Sequence, residues 1–341
     1  MIAAAVIAVS LAAAGSVQDC APRHGLGFVC GPVGSEDIAQ VPGTRWLIAS
    51  GLDLGGGGHL YLVDGEAKRA RVLEVGTAAP NPGCPGPPDL GKLSTDGLAL
   101  RPGAGGRHLL YAANHGDRRA IEMFRIDARA EIPTATWTGC APMPEHTLPN
   151  AVAALSGGRL IVSSFHDPDD QQAWVRMARQ EPTGSVWEWR PGSGFRRLEL
   201  GPISGANGVE VSRDERTLYV SAWSASKLVE IDLKTRRRRD IPLDFLPDNI
   251  KRLPGGALLV GGQKTTVASI AACNGPQCPQ DWVVARVDPR SGRATPLVSR
   301  HGDASVNYAA TGLHVGNTLY ITVRGDRRIA YIPVSALPSL D

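Results

Sequence analysis

Short apolar runs of strand length alternate along this chain with polar stretches rich in turn residues. The clearest unit runs Asn207-Gly-Val-Glu-Val-Ser, Thr217-Leu-Tyr-Val-Ser and Lys227-Leu-Val-Glu-Ile-Asp, three segments of alternating or continuous apolar character separated by tight turns. The same grammar recurs in segments opening at Glu36, Asp96, Asn150, Asp248-Asn249 and Thr311, so six copies are legible. A period of about 40–60 residues with three or four strands per copy predicts an all-β, six-bladed β-propeller, each blade burying its faces against its neighbours. No amphipathic pattern of helical length interrupts the series, which argues against doubly wound and barrel-type α/β folds.

The first strand of each propeller blade lines a central channel, so the residues that open those strands converge on the axis. Here they are Glu36, Asp96, Asn150, Asn207 and Asp248-Asn249, each offering a carboxylate or amide oxygen. Asn and Asp also serve simply as turn formers, and at a single position that use would suffice. Repeated at equivalent positions of successive copies, they predict a central metal-binding channel, because clustered buried oxygens need a cation between them. Oxygen-only ligation by many mixed donors suits Ca²⁺ better than Zn²⁺ or Mg²⁺. Glu36 and Asp248 would balance its charge, with Asn150, Asn207 and Asn249 as neutral donors.

Composition adds modest constraints. Apolar residues at 43% and charged residues at 20% leave room for a sizeable core, and 40 Gly and 26 Pro among 341 residues suit a turn-rich β chain. A net charge of +3 requires neither a nucleic-acid nor an anionic-membrane partner. The run Arg236-Arg237-Arg238-Arg239 reads as a solvated turn and outer strand. Residues 1–14 read as a signal peptide without a basic start, too short for a membrane span, with a single propeller domain over 15–341. Six cysteines fit a periplasmic or secreted location. Proximity suggests Cys20–Cys30, Cys84–Cys140 and Cys273–Cys278, one of fifteen possible connectivities. Gly55–Gly58 lacks the following Lys and helix of a phosphate loop, His166-Asp167 reads as a surface loop, and no G-x-S-x-G elbow is present.

Gly34-Ser35-Glu36-Asp37-Ile38, Ala49-Ser50-Gly51-Leu52, Asn114-His115 with Glu122-Met-Phe, Leu148-Pro149-Asn150, Ala206-Asn207-Gly208-Val209 and Asp248-Asn249-Ile250 together resemble the paraoxonase family of arylesterases and lactonases. The wider superfamily includes gluconolactonase and diisopropyl fluorophosphatase. The resemblance runs from about residue 30 to the C-terminus and implies a six-bladed propeller with two calcium ions, one catalytic and one structural. It implies Glu36, Asn150, Asn207, Asp248 and Asn249 as ligands of the first, and Asp37 with the Leu98 carbonyl oxygen as ligands of the second. A carboxylate expected after Asn150 is Ala151 here, which weakens that second site. Of the family's histidine dyad, His115 is retained while Asp96 stands in the other place, and Gln263 replaces a further histidine. The implied activity is calcium-dependent hydrolysis of a small ester or lactone, with Asp96 or His115 activating water. A calcium-stapled binding module without catalysis and a sugar-lactone hydrolase are the competing expectations.

Overall fold

The computed structural model describes residues 20–53, 57–273, 278–303, 306–324 and 327–339. The expected signal peptide at 1–14 and part of the Gly55–Gly58 run lie outside the described residues.

Six antiparallel sheets follow one another along the chain. Their innermost strands are Ile38–Gln40, Thr95–Arg101, Pro149–Ala154, Ala206–Val211, Leu246–Arg252 and Ala309–Val315, referred to as blades one to six. The ring is closed by Gly27–Cys30, which pairs antiparallel with Arg328–Pro333 as the outermost strand of blade six. That closure, a fifth strand Val75–Thr77 running parallel at the edge of blade two, and two short helices, Ala173–Ala178 and Val267–Ala272, were not legible in the repeat pattern. The helices pack with Trp223, Leu246 and Tyr308 over the end of the channel where the inner strands begin.

The alternating apolar residues form a separate buried layer between each pair of neighbouring blades. Leu47 and Val63 of blade one meet Val29 and Ile329 of blade six, and Leu62 and Ile48 meet Leu98 and Phe124 of blade two. Equivalent layers join the other four pairs. Each fully buried Leu or Ile contributes about 1.5–3 kcal/mol, so each blade draws much of its burial energy from both neighbours.

The inner strands of blades two to six share an irregularity. Between Thr95 and Leu98 three residue steps oppose two on the partner strand, and the same one-residue excess falls between Pro149 and Val152, Ala206 and Val209, Pro247 and Ile250, and Ala309 and Gly312. These are β-bulges, which re-aim side chains out of the pleat. Asp96, Asn150, Asn207, Asp248 and Asn249 all lie inside them. Hydroxyls satisfy backbone groups at the inner strand openings of these blades and of blade one. Ser50 Oγ accepts from the Glu36 and Asp37 amides at 3.1 and 2.8 Å, Ser163 Oγ from Ala151 at 3.0 Å and Thr322 Oγ1 from Thr311 at 2.9 Å, while Ser221 donates to the Asp248 carbonyl at 2.6 Å.

All six cysteines are paired, as Cys20–Cys30, Cys84–Cys140 and Cys273–Cys278. Three disulfides fit an oxidising compartment, and among the described residues no helix is long and apolar enough to cross a membrane. The arginine run forms a turn and the outer strand Arg238–Pro242, where Arg238 bonds Asp240 at 2.9 Å.

Two bulge glycines set how closely the blades approach at the axis. A Cβ on Gly97 would lie 2.5 Å from the Asn150 carbonyl oxygen, and one on Gly208 2.4 Å from that of Asp248, backbone that cannot step aside. Gly208→Ala is therefore expected to cost about 1–3 kcal/mol in denaturant unfolding. A change below about 0.5 kcal/mol, the range of a neutral surface substitution, would refute the close approach.

Candidate active site

The side chains aimed inward by the bulges meet Glu36, which precedes the regular inner strand of blade one, at the end of the channel where the inner strands begin. Glu36, Asp96, Asn150, Asn207, Asp248 and Asn249 are each no more than 8% exposed. Asn150 Nδ2 donates to Asp96 Oδ2 at 3.2 Å, and Asn249 Nδ2 donates to the Glu36 carbonyl oxygen at 3.2 Å. The Asp248 carboxyl lies within hydrogen-bond reach of the Glu36 carboxyl and of Asn207. Two carboxylates at that distance need a proton or a cation between them.

Five blades each leave one oxygen unsatisfied there. Glu36 Oε2, Asp96 Oδ1, Asn150 Oδ1, Asn207 Oδ1 and Asp248 Oδ1 are buried without a hydrogen-bond partner. Buried polar atoms without partners are rare, and a set of oxygens with mixed charge and no hydrogen bond to any donor has the chemistry of a hard-cation site. The donor set thus fits a divalent ion such as Ca²⁺. Asp96 belongs to this group of open oxygens, whereas Asn249 joins the ring through its amide nitrogen.

Electrostatics agree with the geometry. Burial, reinforced by the Glu36 charge, raises the carboxyls of Asp96 and Asp248 well above the ordinary range, and burial raises Glu36. The counter-charge within the protein is Arg324, a buried guanidinium that interacts with Glu36, Asp96 and Asp248 and stacks 5.6 Å from the Tyr308 ring centre. Sequence reasoning missed Arg324. It directly follows the second strand of blade six, as His115 follows that of blade two, so alignment of second-strand ends across the repeats could have found it.

His115 is also buried, with Nε2 3.5 Å from Asp96 Oδ2 and in hydrogen-bond contact with the Pro149 carbonyl oxygen. A carbonyl only accepts, so Nε2 carries the proton, and burial holds the imidazole pKa down to about 4. His115 is thus a neutral donor beside Asp96. Gln263 is completely buried: Trp223 Nε1 donates to its Oε1 at 2.8 Å, which turns its Nε2 toward Asp248 Oδ2 at 2.9 Å and the Ala309 carbonyl at 3.0 Å.

The two residues expected at a second ion behave differently. Asp37 Oδ1 accepts from the Ile38 amide at 2.7 Å, Oδ2 from the Leu98 amide at 2.8 Å, and the Lys251 ammonium lies 2.8 Å from both oxygens. The same ammonium is 3.3 Å from the Leu98 carbonyl oxygen. Below them a cavity of about 420 Å³, lined by Ala151, Glu210, Lys251 and Arg252 among others, opens away from the oxygen ring.

His166 and Asp167 lie on the loop side of blade three, where His146 Nδ1 is 3.0 Å from Asp169 Oδ2 and 3.6 Å from Asp167 Oδ2. Among the described residues this trio alone brings three histidine, cysteine or carboxylate ligand atoms within 4.8 Å of one another. It is solvent-exposed, as ordinary surface ion pairs are, whereas the channel set is buried and draws two of its five open oxygens from amides.

No protein-family model matches the sequence, and no curated protein matches it. Solved structures do share its fold. A gluconolactonase from Xanthomonas campestris is 20% identical, with 92% of this chain and 89% of that chain covered and a TM-score of 0.56. A luciferin-regenerating enzyme is 13% identical, covers 91% and 94%, and has a TM-score of 0.55. Regucalcin from Agrobacterium tumefaciens, a calcium-binding protein, is 13% identical, covers 89% and 90%, and has a TM-score of 0.52. At these identities the likeness concerns the six-bladed fold.

The buried neutral His115 has a measurable consequence. Its folded-state pKa of about 4 lies below the ordinary 6.5, so the folded chain binds fewer protons than the unfolded chain between those values. Stability is therefore expected to fall as pH drops from about 6.5 to 4, by on the order of 3 kcal/mol from this group. His115→Gln should remove that part of the slope in unfolding midpoints measured across this window; an unchanged slope would mean that His115 titrates normally.

Proposed function

We propose that this protein is a calcium-dependent hydrolase whose substrates are small lactones, with simple esters as secondary substrates. One observation carries the reading: at the inner strand openings of five blades, five oxygens are buried without a hydrogen-bond partner. Glu36, Asn150, Asn207 and Asp248, with Asn249 beside them, would hold the cation. When bound, a divalent ion polarises the substrate carbonyl and favours the oxyanion. That two of the structural neighbours are a gluconolactonase and a calcium-binding protein is consistent with this chemistry.

The chain's own residues supply the proton handling. Asp96 Oδ2 is held by Asn150 and faces His115, which leaves Oδ1 open toward the axis. Oδ1 takes a proton from water as the water oxygen bonds to the carbonyl carbon. The ring C–O bond then breaks, and the alkoxide recovers that proton from Asp96. A carboxyl whose affinity for protons is raised by burial is a stronger base than a solvated one and can both take and return the proton. His115, whose Nε2 proton goes to the Pro149 carbonyl, stands beside Asp96 Oδ2 as a neutral neighbour. Gln263, with its amide turned by Trp223, fixes Asp248.

A panel of γ- and δ-lactones, aryl acetates and phosphotriesters assayed with and without chelator tests this reading. Lactone hydrolysis should disappear with EDTA and return with added Ca²⁺. No turnover of any substrate by a protein that Ca²⁺ nevertheless stabilises would replace the enzyme with a metal-stapled binding module. Asp96→Asn should lower kcat by about 10²–10⁴-fold, the range of a general base. It should weaken calcium binding without abolishing it, because one of the negative charges facing the ion is removed. Loss of calcium binding instead would make Asp96 a ligand.

A further inference from the structure

We infer that the Lys251 ammonium is a tethered cation standing in the lower channel where a second metal ion would otherwise bind, so that the protein takes up one divalent ion. The exclusion at Asp37 stands on the contacts alone. The count of one also rests on the channel site proposed above.

Asp37 and Leu98 come from the inner strands of blades one and two, and Lys251 reaches them from blade five. The Asp37 side chain is 3% exposed, and the Lys251 side chain is 17% exposed. The ammonium is 2.8 Å from both Asp37 oxygens and 3.3 Å from the Leu98 carbonyl oxygen. A metal ion bound by those oxygens would need the space and the lone pairs that Nζ now uses. Asp37 also accepts from two backbone amides and lies 3.2 Å from Thr311 Oγ1, whose shorter bond of 2.8 Å goes to the Glu36 carbonyl oxygen, and with Lys251 these leave its carboxylate little free capacity. Blade three offers no replacement donor, since Ala151 brings only a methyl group to the cavity wall.

The charges divide in the same way. Asp37 and Lys251 cancel. Above them Glu36, Asp96 and Asp248 face Arg324, which leaves an excess of two negative charges on the oxygens that lack partners. That is the charge of one divalent ion. Glu210, on the wall of the lower cavity, interacts with both Lys251 and Arg252, so the cationic side chains there do not leave it without an opposite charge. An ammonium cannot be removed by chelators or dilution, so the lower half of the channel keeps its charge balance in the ion-free protein.

Equilibrium dialysis of the whole chain against calcium chloride, with bound calcium counted by elemental analysis, tests the inference. One ion per chain is expected for the wild type. The double variant Lys251→Ala with Ala151→Asp removes the ammonium and supplies a carboxylate, and it should bind one ion more than the wild type, with weaker affinity. Two ions on the wild type, or an equal count on a folded double variant, would overturn the inference. A wild type that binds none and a double variant that binds one would sink the channel reading yet uphold the role of Lys251. If the double variant does not fold, Lys251→Ala alone decides: its unfolding midpoint should lie below that of the wild type and rise with millimolar calcium in an added, weaker phase. The absence of that phase would count against the inference.

Discussion

Three carboxylates are buried around one axis with a single guanidinium to face them, and much of the inner structure serves to hold them there. Burial raises the proton affinity of Glu36, Asp96 and Asp248, and the Glu36 charge raises that of the other two further, an arrangement that water would otherwise relieve. The bulges turn Asp96 and Asp248 inward beside Glu36 of blade one, and the hydroxyls of Ser50, Ser163, Ser221 and Thr322 take up nearby backbone groups. Gly97 and Gly208 let adjoining blades approach until carbonyl oxygen meets Cα. A propeller held together only by its apolar layers would need none of these devices.

The channel is partitioned along its length. At the end where the inner strands begin, oxygens are fixed on their outer sides and open toward the axis: Asn150 holds Asp96, and Gln263 holds Asp248. Further along, Asp37 is paired with backbone amides and Lys251. The first zone has unsatisfied lone pairs to offer a ligand, while the second satisfies itself. The fold is common to proteins of different described activity, so the open zone, rather than the six-bladed ring, carries the functional reading.

His115 and Gln263 show how packing decides roles that residue type leaves open. A histidine beside a carboxylate invites a reading as a base, but burial and the Pro149 carbonyl keep this one neutral and donating. Gln263 cannot carry a proton, yet the Trp223 indole fixes which end of its amide meets Asp248, so it can orient that carboxylate.

Alternation of apolar and polar residues in six copies was enough to determine the number of blades and which strand of each lies innermost, because burial on both faces of a sheet is written directly into residue type. The repeated acidic and amide residues at the strand openings likewise announced an oxygen-lined axis. What remained illegible depends on contacts between distant segments. Gly27–Cys30 closes the ring on a strand three hundred residues away in sequence, and Arg324 and Lys251 enter the channel from blades six and five with no local motif to mark them. Neither the one-residue bulges nor the place of the Lys251 ammonium follows from hydrophobic pattern, since both are settled by which backbone groups and charges the closed ring brings within a few ångströms of each other.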